Sequence, residues 1–237
     1  MVYNWLIKLQ DTLFPPRCRL CGGAGAGGRD LCPGCHADLP WLGAACVRCA
    51  LPLAIDGQLC GQCQQQPPAF DRVIAPFRYA PPLDYLVQRL KFHQDLAMGR
   101  LLGQLLAETL ASRTGPRPAV ILPVPLHRRR LAERGFNQAL EIGRPLRDTL
   151  GIPLAPHLAQ RVRPTETQSR LPARERQRNL RRAYALAAVP LPDHIAILDD
   201  VMTTGTTVNE LARLLKGAGV ARVEVWVLAR TASPDAL

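Results

Sequence analysis

The chain has 237 residues, room for one medium domain and a smaller one. At 47% hydrophobic it can bury a real core and is not a disordered chain. Thirty Lys and Arg against nineteen Asp and Glu leave a net charge of +11. Lys8, Lys91 and Lys216 are the only lysines. Arginine is the planar, bidentate partner of phosphate, so this balance points to anionic ligands or nucleic acid, with a solvated arginine surface as the alternative. No segment reaches the roughly 18 apolar residues that span a bilayer. Residues 1–14 lack a basic stretch followed by an uninterrupted apolar one, so no secretory signal is expected there and a cytoplasmic protein is. Eight cysteines in a reducing compartment are then metal ligands or free thiols rather than disulfides.

In chain order, Trp5, Leu6, Leu9 and Leu13 predict a short amphipathic helix within residues 1–17, ended by Pro15 and Pro16. Residues 18–66 are rich in cysteine and glycine. They carry four Cys-x-x-Cys knuckles: Cys18/Cys21, Cys32/Cys35, Cys46/Cys49 and Cys60/Cys63, with ten residues between each and the next. Two knuckles supply the four thiolates of a tetrahedral structural zinc site, and a segment so poor in large apolar residues needs the metal to fold. Sequential pairing closes shorter loops than interleaved pairing and is preferred, giving about two zinc ions. A polar, proline-bearing linker, Gln64 to Pro68, leads into residues 67–237.

That second region alternates strand and helix signals. Strands are expected at Val73–Tyr79, Val120–Val124, Leu158–Val162, Tyr184–Ala188, Ile195–Leu198 and Val223–Leu228. Helices are expected at Leu83–Ser112, Leu131–Leu150 and Val208–Ala218. This pattern predicts an α/β fold, a parallel sheet flanked by helices, with ligands beyond the carboxyl ends of the strands.

The most specific motif is Ile195 to Thr207. An apolar strand ends in Asp199 and Asp200, then Thr203, Thr204, Gly205, Thr206 and Thr207 lead into a helix. Adjacent carboxylates just past a strand end can accept from ribose hydroxyls. The threonine loop can supply amide and hydroxyl donors to a phosphate at a helix N-terminus. There is no Gly-Lys-[Ser/Thr] frame, so the loop is not a nucleoside triphosphate P-loop. A 5-phosphorylated ribose such as 5-phosphoribosyl-1-pyrophosphate (PRPP) needs all of these groups, and its pyrophosphate would bring Mg²⁺.

Ile195–Thr207 resembles the PRPP motif of type I phosphoribosyltransferases. Leu122 to His127, Arg130, the run Arg134-Gly135-Phe136-Asn137-Gln138, the stretch Gln168 to Leu180 and the cysteine knuckles resemble the ComF/GntX family, from about Pro15 to Arg230. The resemblance implies a zinc-ribbon head on a phosphoribosyltransferase-like domain, linked to DNA uptake in natural transformation or to use of DNA as nutrient. It implies ribose contacts from Asp199 and Asp200 and phosphate contacts from Thr203 to Thr207. It also implies a pyrophosphate loop at Pro125 with Arg130 and Arg134, and a hood over the site at Arg163–Arg182 that includes Arg178. Single-stranded DNA and a competence helicase or other uptake protein are the implied partners. An active phosphoribosyltransferase of nucleotide or purine metabolism is the alternative, with its acceptor and catalytic residues unidentified. A built-in glutaminase is excluded, because the first cysteine, Cys18, sits in a metal knuckle.

Overall fold

A computed structural model describes residues 15–163 and 183–232. The predicted N-terminal helix and most of the predicted hood, Arg178 included, lie outside the described residues. Along the chain the elements are α1 (Pro33–Ala37), α2 (Gly61–Gln65), β1 (Arg72–Ile74), β2 (Phe77–Arg78), α3 (Leu83–His93) and α4 (Leu96–Ala111). These are followed by β3 (Val120–Pro123), α5 (Arg128–Arg134), α6 (Gln138–Leu150), β4 (Ala159–Arg161), β5 (Tyr184–Leu186), β6 (His194–Met202), α7 (Thr206–Gly217) and β7 (Arg222–Arg230).

The sheet is parallel, in the order β1–β7–β6–β3, and β2 also pairs with β7. Its two long strands, β6 and β7, are apolar on both faces, as a strand covered by helices on both sides must be. One face carries Ala196, Leu198, Trp226 and Leu228 into a core shared with α3, α4 and α6. The other carries Ile195, Ile197, Val223, Val225 and Val227 into a core shared with α7. Leu83, Leu86, Val87 and Leu90 form the buried stripe of α3 at helical spacing, each such side chain stabilising the fold by roughly 1.5–3 kcal/mol. Close approach of α4 to α6 depends on Gly103, where a Cβ would lie 2.4 Å from the Ile142 carbonyl oxygen.

Each helix predicted as one long piece is two. The Leu83–Ser112 segment breaks at Gln94, which is left-handed at φ 54°, and Asp95 there accepts from Arg89 at 3.0 Å. The Leu131–Leu150 segment starts earlier, at Arg128, and breaks at Gly135, φ 81°. The strand predicted from Val73 to Tyr79 is interrupted at Ala75–Pro76, because proline has no N–H to give a ladder. That sheet edge is covered instead by the cysteine-rich region. Val73 N–H donates to the Arg48 carbonyl at 2.8 Å, Leu42 N–H to Pro76 at 2.7 Å and Arg78 N–H to Pro40 at 2.8 Å.

The two cysteine clusters join different cores. Cys18, Leu31 and Leu39 pack with the α3–α4 side. Cys46, Cys49, Cys60 and Cys63 pack with the α7 side, alongside Met202, Val208 and Leu211. The cysteine-rich segment therefore straddles the sheet edge, one cluster on each face. No helix among the described residues is long and apolar enough to cross a membrane.

Candidate functional site

β3 stops at Pro123, and its last bond to β6 is Val124 N–H to the Leu198 carbonyl, 2.8 Å. β6 runs on beside β7 to Met202, so Asp199 and Asp200 lie inside a strand that has lost its neighbour on one side. The carboxylates themselves satisfy that open edge. Asp199 Oδ1 accepts from Asp200 N–H at 2.9 Å, and Asp200 Oδ1 accepts from Val201 N–H at 2.6 Å. This differs from the expected placement just beyond a strand end, and it sends the two acids to different neighbours.

Asp200 is buried, 4% exposed, and its Oδ2 lies 2.9 Å from Lys91 Nζ at the end of α3, off hydrogen-bond geometry. Asp199 lies on the side of Arg161 and Tyr184. Burial, then the charge of Asp200, push its carboxyl up to about 7, against the Asp200 N–H, Lys91 and Arg161, which pull it down. The folded protein thus keeps a proton over a range in which the unfolded chain has lost it. Stability of the ligand-free protein should fall as pH rises between 3.8 and about 7. Asp199→Asn should remove that slope in thermal melts taken across the window; an unchanged slope would show that another group carries it.

The loop after β6 turns on Gly205, left-handed at φ 75°, which is also the N-cap of α7. A Cβ there would lie 2.4 Å from Met202 Cε. The N-cap residue has no side chain, and of the first-turn N–H groups at the positive end of the helix dipole that of Thr206 makes a long bond, 3.5 Å, to the Thr204 hydroxyl. Thr204 and Thr206 hydroxyls bond each other at 2.8 Å, and Thr203 and Thr204 are exposed. Gly205→Ala should cost about 1–2 kcal/mol in denaturant unfolding, from a left-handed backbone that disfavours a Cβ.

The Arg134–Gln138 run forms the joint between α5 and α6. Gly135 ends α5 in the left-handed region. Asn137 caps α6 through Ala139 N–H at 3.0 Å, and its amide donates to the Val124 carbonyl at 3.0 Å. Arg134 donates to Gln138 Oε1 at 2.6 Å. Burial and the neighbouring Arg130 lower the Arg134 pKa, while the charge of Asp200 raises it. Pro125 is buried in the loop between β3 and α5, and Arg130 is exposed. Asp199, Asp200 and the threonine loop thus lie at the carboxyl end of β6, and Pro125 follows the carboxyl end of the neighbouring β3.

Three neighbours of the acid pair escaped the sequence reading. Lys91 is one of only three lysines, a weak signal in an arginine-dominated chain. Arg161 and Tyr184 face each other across the antiparallel β4–β5 pair, the guanidinium 5.8 Å from the ring centre. Arg161 Nε and the Tyr184 hydroxyl are buried and without hydrogen-bond partners among the described residues. Burial raises the Tyr184 pKa, with Arg161 lowering it and Asp199 raising it.

The cysteines fall into the two sequential groups, Cys18/Cys21/Cys32/Cys35 and Cys46/Cys49/Cys60/Cys63, with ligand atoms all within 4.8 Å of one another. Cys21 and Cys32 sulfurs lie 3.7 Å apart and those of Cys49 and Cys60 lie 3.6 Å apart. These separations are far too long for disulfides. They match the edge of a tetrahedron with zinc–sulfur bonds of about 2.3 Å.

Backbone N–H groups already favour thiolates. Cys35 N–H donates to Cys32 Sγ at 3.4 Å and Cys60 N–H to Cys46 Sγ at 3.3 Å. Burial opposes ionisation of Cys18 and Cys46, yet N–H donors bring them down to about 6 and about 7. Cys35 is pushed up by its bond to Cys32, Cys63 by burial, and Cys49 by burial to about 11. Four thiols so close cannot all ionise without a cation, and zinc is the ion this donor set fits. Elemental analysis should find two zinc per chain; one would mean a cluster that does not bind.

Comparison with known proteins finds two family models in this chain. Residues 9–64 match the double zinc ribbon domain, and residues 147–235 match the phosphoribosyl transferase domain. A DNA utilization protein, YhgH, of Salmonella typhi is 41% identical over 205 residues, covering 85% of this chain and 90% of the relative. Competence protein F of Haemophilus influenzae is 37% identical over 229 residues, 92% of this chain and 99% of the relative. The chain belongs to the ComF/GntX family. A more distant relative, competence protein ComFC of Streptococcus pneumoniae, is 29% identical over 157 residues. The family's two components are thus both present here, a pair of four-cysteine zinc ribbons and a phosphoribosyltransferase domain on a parallel sheet.

Proposed function

We propose that this protein binds PRPP, or a related phosphorylated ribose or nucleotide, and acts in DNA uptake by handling internalised single-stranded DNA in the cytoplasm. In this reading residues 18–66 form the zinc-bound head and residues 67–237 hold the ligand. Asp199 and Asp200 accept the ribose hydroxyls. The loop from Thr203 to Thr207 takes the 5-phosphate through its hydroxyls and the first-turn N–H groups of α7. Pro125 lies in the pyrophosphate loop, with Arg134 and Arg130 supplying charge and Arg178 closing from the hood.

The observation that supports this most is the position of the acid pair directly before a helix N-terminus with glycine at its N-cap. Lys91 holds positive charge beside the acid pair. Mg²⁺ would arrive with the pyrophosphate, because two carboxylates alone make a poor all-protein magnesium cage. The role in DNA uptake rests on the relatives called competence protein F and DNA utilization protein. The arginine excess suits phosphate contacts along a strand. A competence helicase or other uptake protein is the proposed protein partner.

Calorimetry with PRPP and Mg²⁺ tests the pocket, and silence at millimolar ligand would remove it. Gel shifts test the strand. Weak binding at low salt that is lost as salt rises is expected, and none at low ionic strength would overturn direct contact.

Arg161 Nε and the Tyr184 hydroxyl, on the side of Asp199 and without hydrogen-bond partners among the described residues, favour a second reading, a working phosphoribosyltransferase. Groups without partners near a leaving pyrophosphate are suited to transition-state contacts. Pyrophosphate release that depends on one added base or amine would decide for the enzyme, and tight binding without release would decide for the sensor.

A further inference from the structure

Arg230 ends β7, opposite Met202 in register, and is buried, 4% exposed. Its Nε donates to the Cys49 carbonyl at 3.1 Å, inside the third knuckle. Its Nη1 donates to the Met202 carbonyl at 3.1 Å, to the Thr203 carbonyl, and to the Thr231 carbonyl at 3.0 Å. One guanidinium thus ties a zinc knuckle to the first residues of the threonine loop. With zinc bound, four thiolates around a dication are formally dianionic, so the metal cluster is a counter-ion for Arg230 as well as a fold staple. A cleft of about 120 Å³ separates the two parts, lined by Cys63, Gln66, Phe70, Thr204, Gly205 and Arg230. Nothing equivalent joins the first cluster to the loop among the hydrogen bonds of the described residues, since Cys18 to Cys35 pack on the opposite face of the sheet.

We infer that Arg230 is a positioning residue that couples the second zinc ribbon to the phosphate loop, so that zinc at Cys46, Cys49, Cys60 and Cys63 and a phosphorylated ligand at Thr203–Thr207 bind cooperatively. The inference rests on the phosphate reading proposed above. Arginine suits the task because its fixed fork reaches several carbonyls at once, where the lysine ammonium is a single point charge. Coupling between two sites is reciprocal, so the ligand must hold the second zinc more tightly by the factor with which that zinc favours the ligand.

Zinc release to a chromogenic chelator, followed with and without ribose 5-phosphate, reads this directly. Wild-type protein should release its metal in two phases, and saturating ribose 5-phosphate should slow only one of them, by about tenfold, within the usual range of such couplings. Arg230→Lys should still carry two zinc ions, bind ribose 5-phosphate about tenfold more weakly by calorimetry, and lose the ligand effect on zinc release. The inference is overturned if wild-type protein binds ribose 5-phosphate and both phases are unchanged or slowed alike. It is also overturned if Arg230→Lys keeps the selective slowing. Should Arg230→Lys fail to fold, the wild-type release experiment decides alone. Absence of ribose 5-phosphate binding to wild type is a different result, which removes the phosphate reading itself and this coupling with it.

Discussion

Replacing Asp199 and Asp200 together by asparagine should weaken Mg²⁺-dependent PRPP binding by more than about a hundredfold, because each lost charge-assisted hydrogen bond contributes roughly 1.5–3 kcal/mol. Asparagine keeps the shape and can still accept from the N–H groups of Asp200 and Val201, so the open edge of β6 stays satisfied. What it removes is the charge that two ribose hydroxyls would address. Lys91, now 2.9 Å from Asp200, loses its counter-charge and adds to the positive field of the pocket. The double variant should therefore hold its two zinc ions and fold, without the wild type's fall in stability between pH 3.8 and about 7. Calorimetry giving equal PRPP affinity for the two proteins would show that the ligand, if any, binds elsewhere.

Loss of the second zinc should be the most destructive single change to stability. Structural zinc binding supplies on the order of 10 kcal/mol of folding free energy in small modules, comparable to the whole stability of a typical domain. Cys63→Ser removes a ligand that is 4% exposed and shares a core with Met202, Val208 and Leu211. That core also seats α7, so the damage should reach the phosphate loop. Cys21→Ser acts on an exposed ligand of the first cluster, on the other face of the sheet. Thermal unfolding of the purified variants should place Cys63→Ser well below Cys21→Ser. Equal losses would mean that both ribbons brace the fold to the same degree.

Several features could be read because their physics is local. The knuckle spacing announces a four-sulfur site whatever surrounds it, since a Cys-x-x-Cys turn presents two thiolates by itself. Asp199 and Asp200 before Thr203–Thr207 announce a phosphorylated sugar for the same reason: strand, acids, loop and helix follow one another in sequence. The helix breaks at Gln94 and at Gly135 were harder to see. A left-handed residue interrupts an apolar pattern without erasing it, so periodicity alone ran across both. The extension of β6 to Met202 depended on β7 continuing beside it, a neighbour distant in sequence.

The partners of the site belong to the non-local class. Lys91 reaches Asp200 across 109 positions of chain, and Arg230 reaches the Cys49 carbonyl across 181. No spacing rule connects such residues, because the sheet order brings β7 between the cysteine-covered edge and β6. The amino-acid sequence by itself determined the chemistry available here: eight thiols in two metal-binding sets and a ribose-phosphate motif on an α/β framework. Only the tertiary structure decided that the two ribbons lie on opposite faces of one sheet, and that the second packs against the phosphate loop with a buried arginine between them. The reason is physical. Ligand type follows from side chains adjacent in the chain, whereas communication between sites follows from which buried groups must share their hydrogen bonds once water is gone.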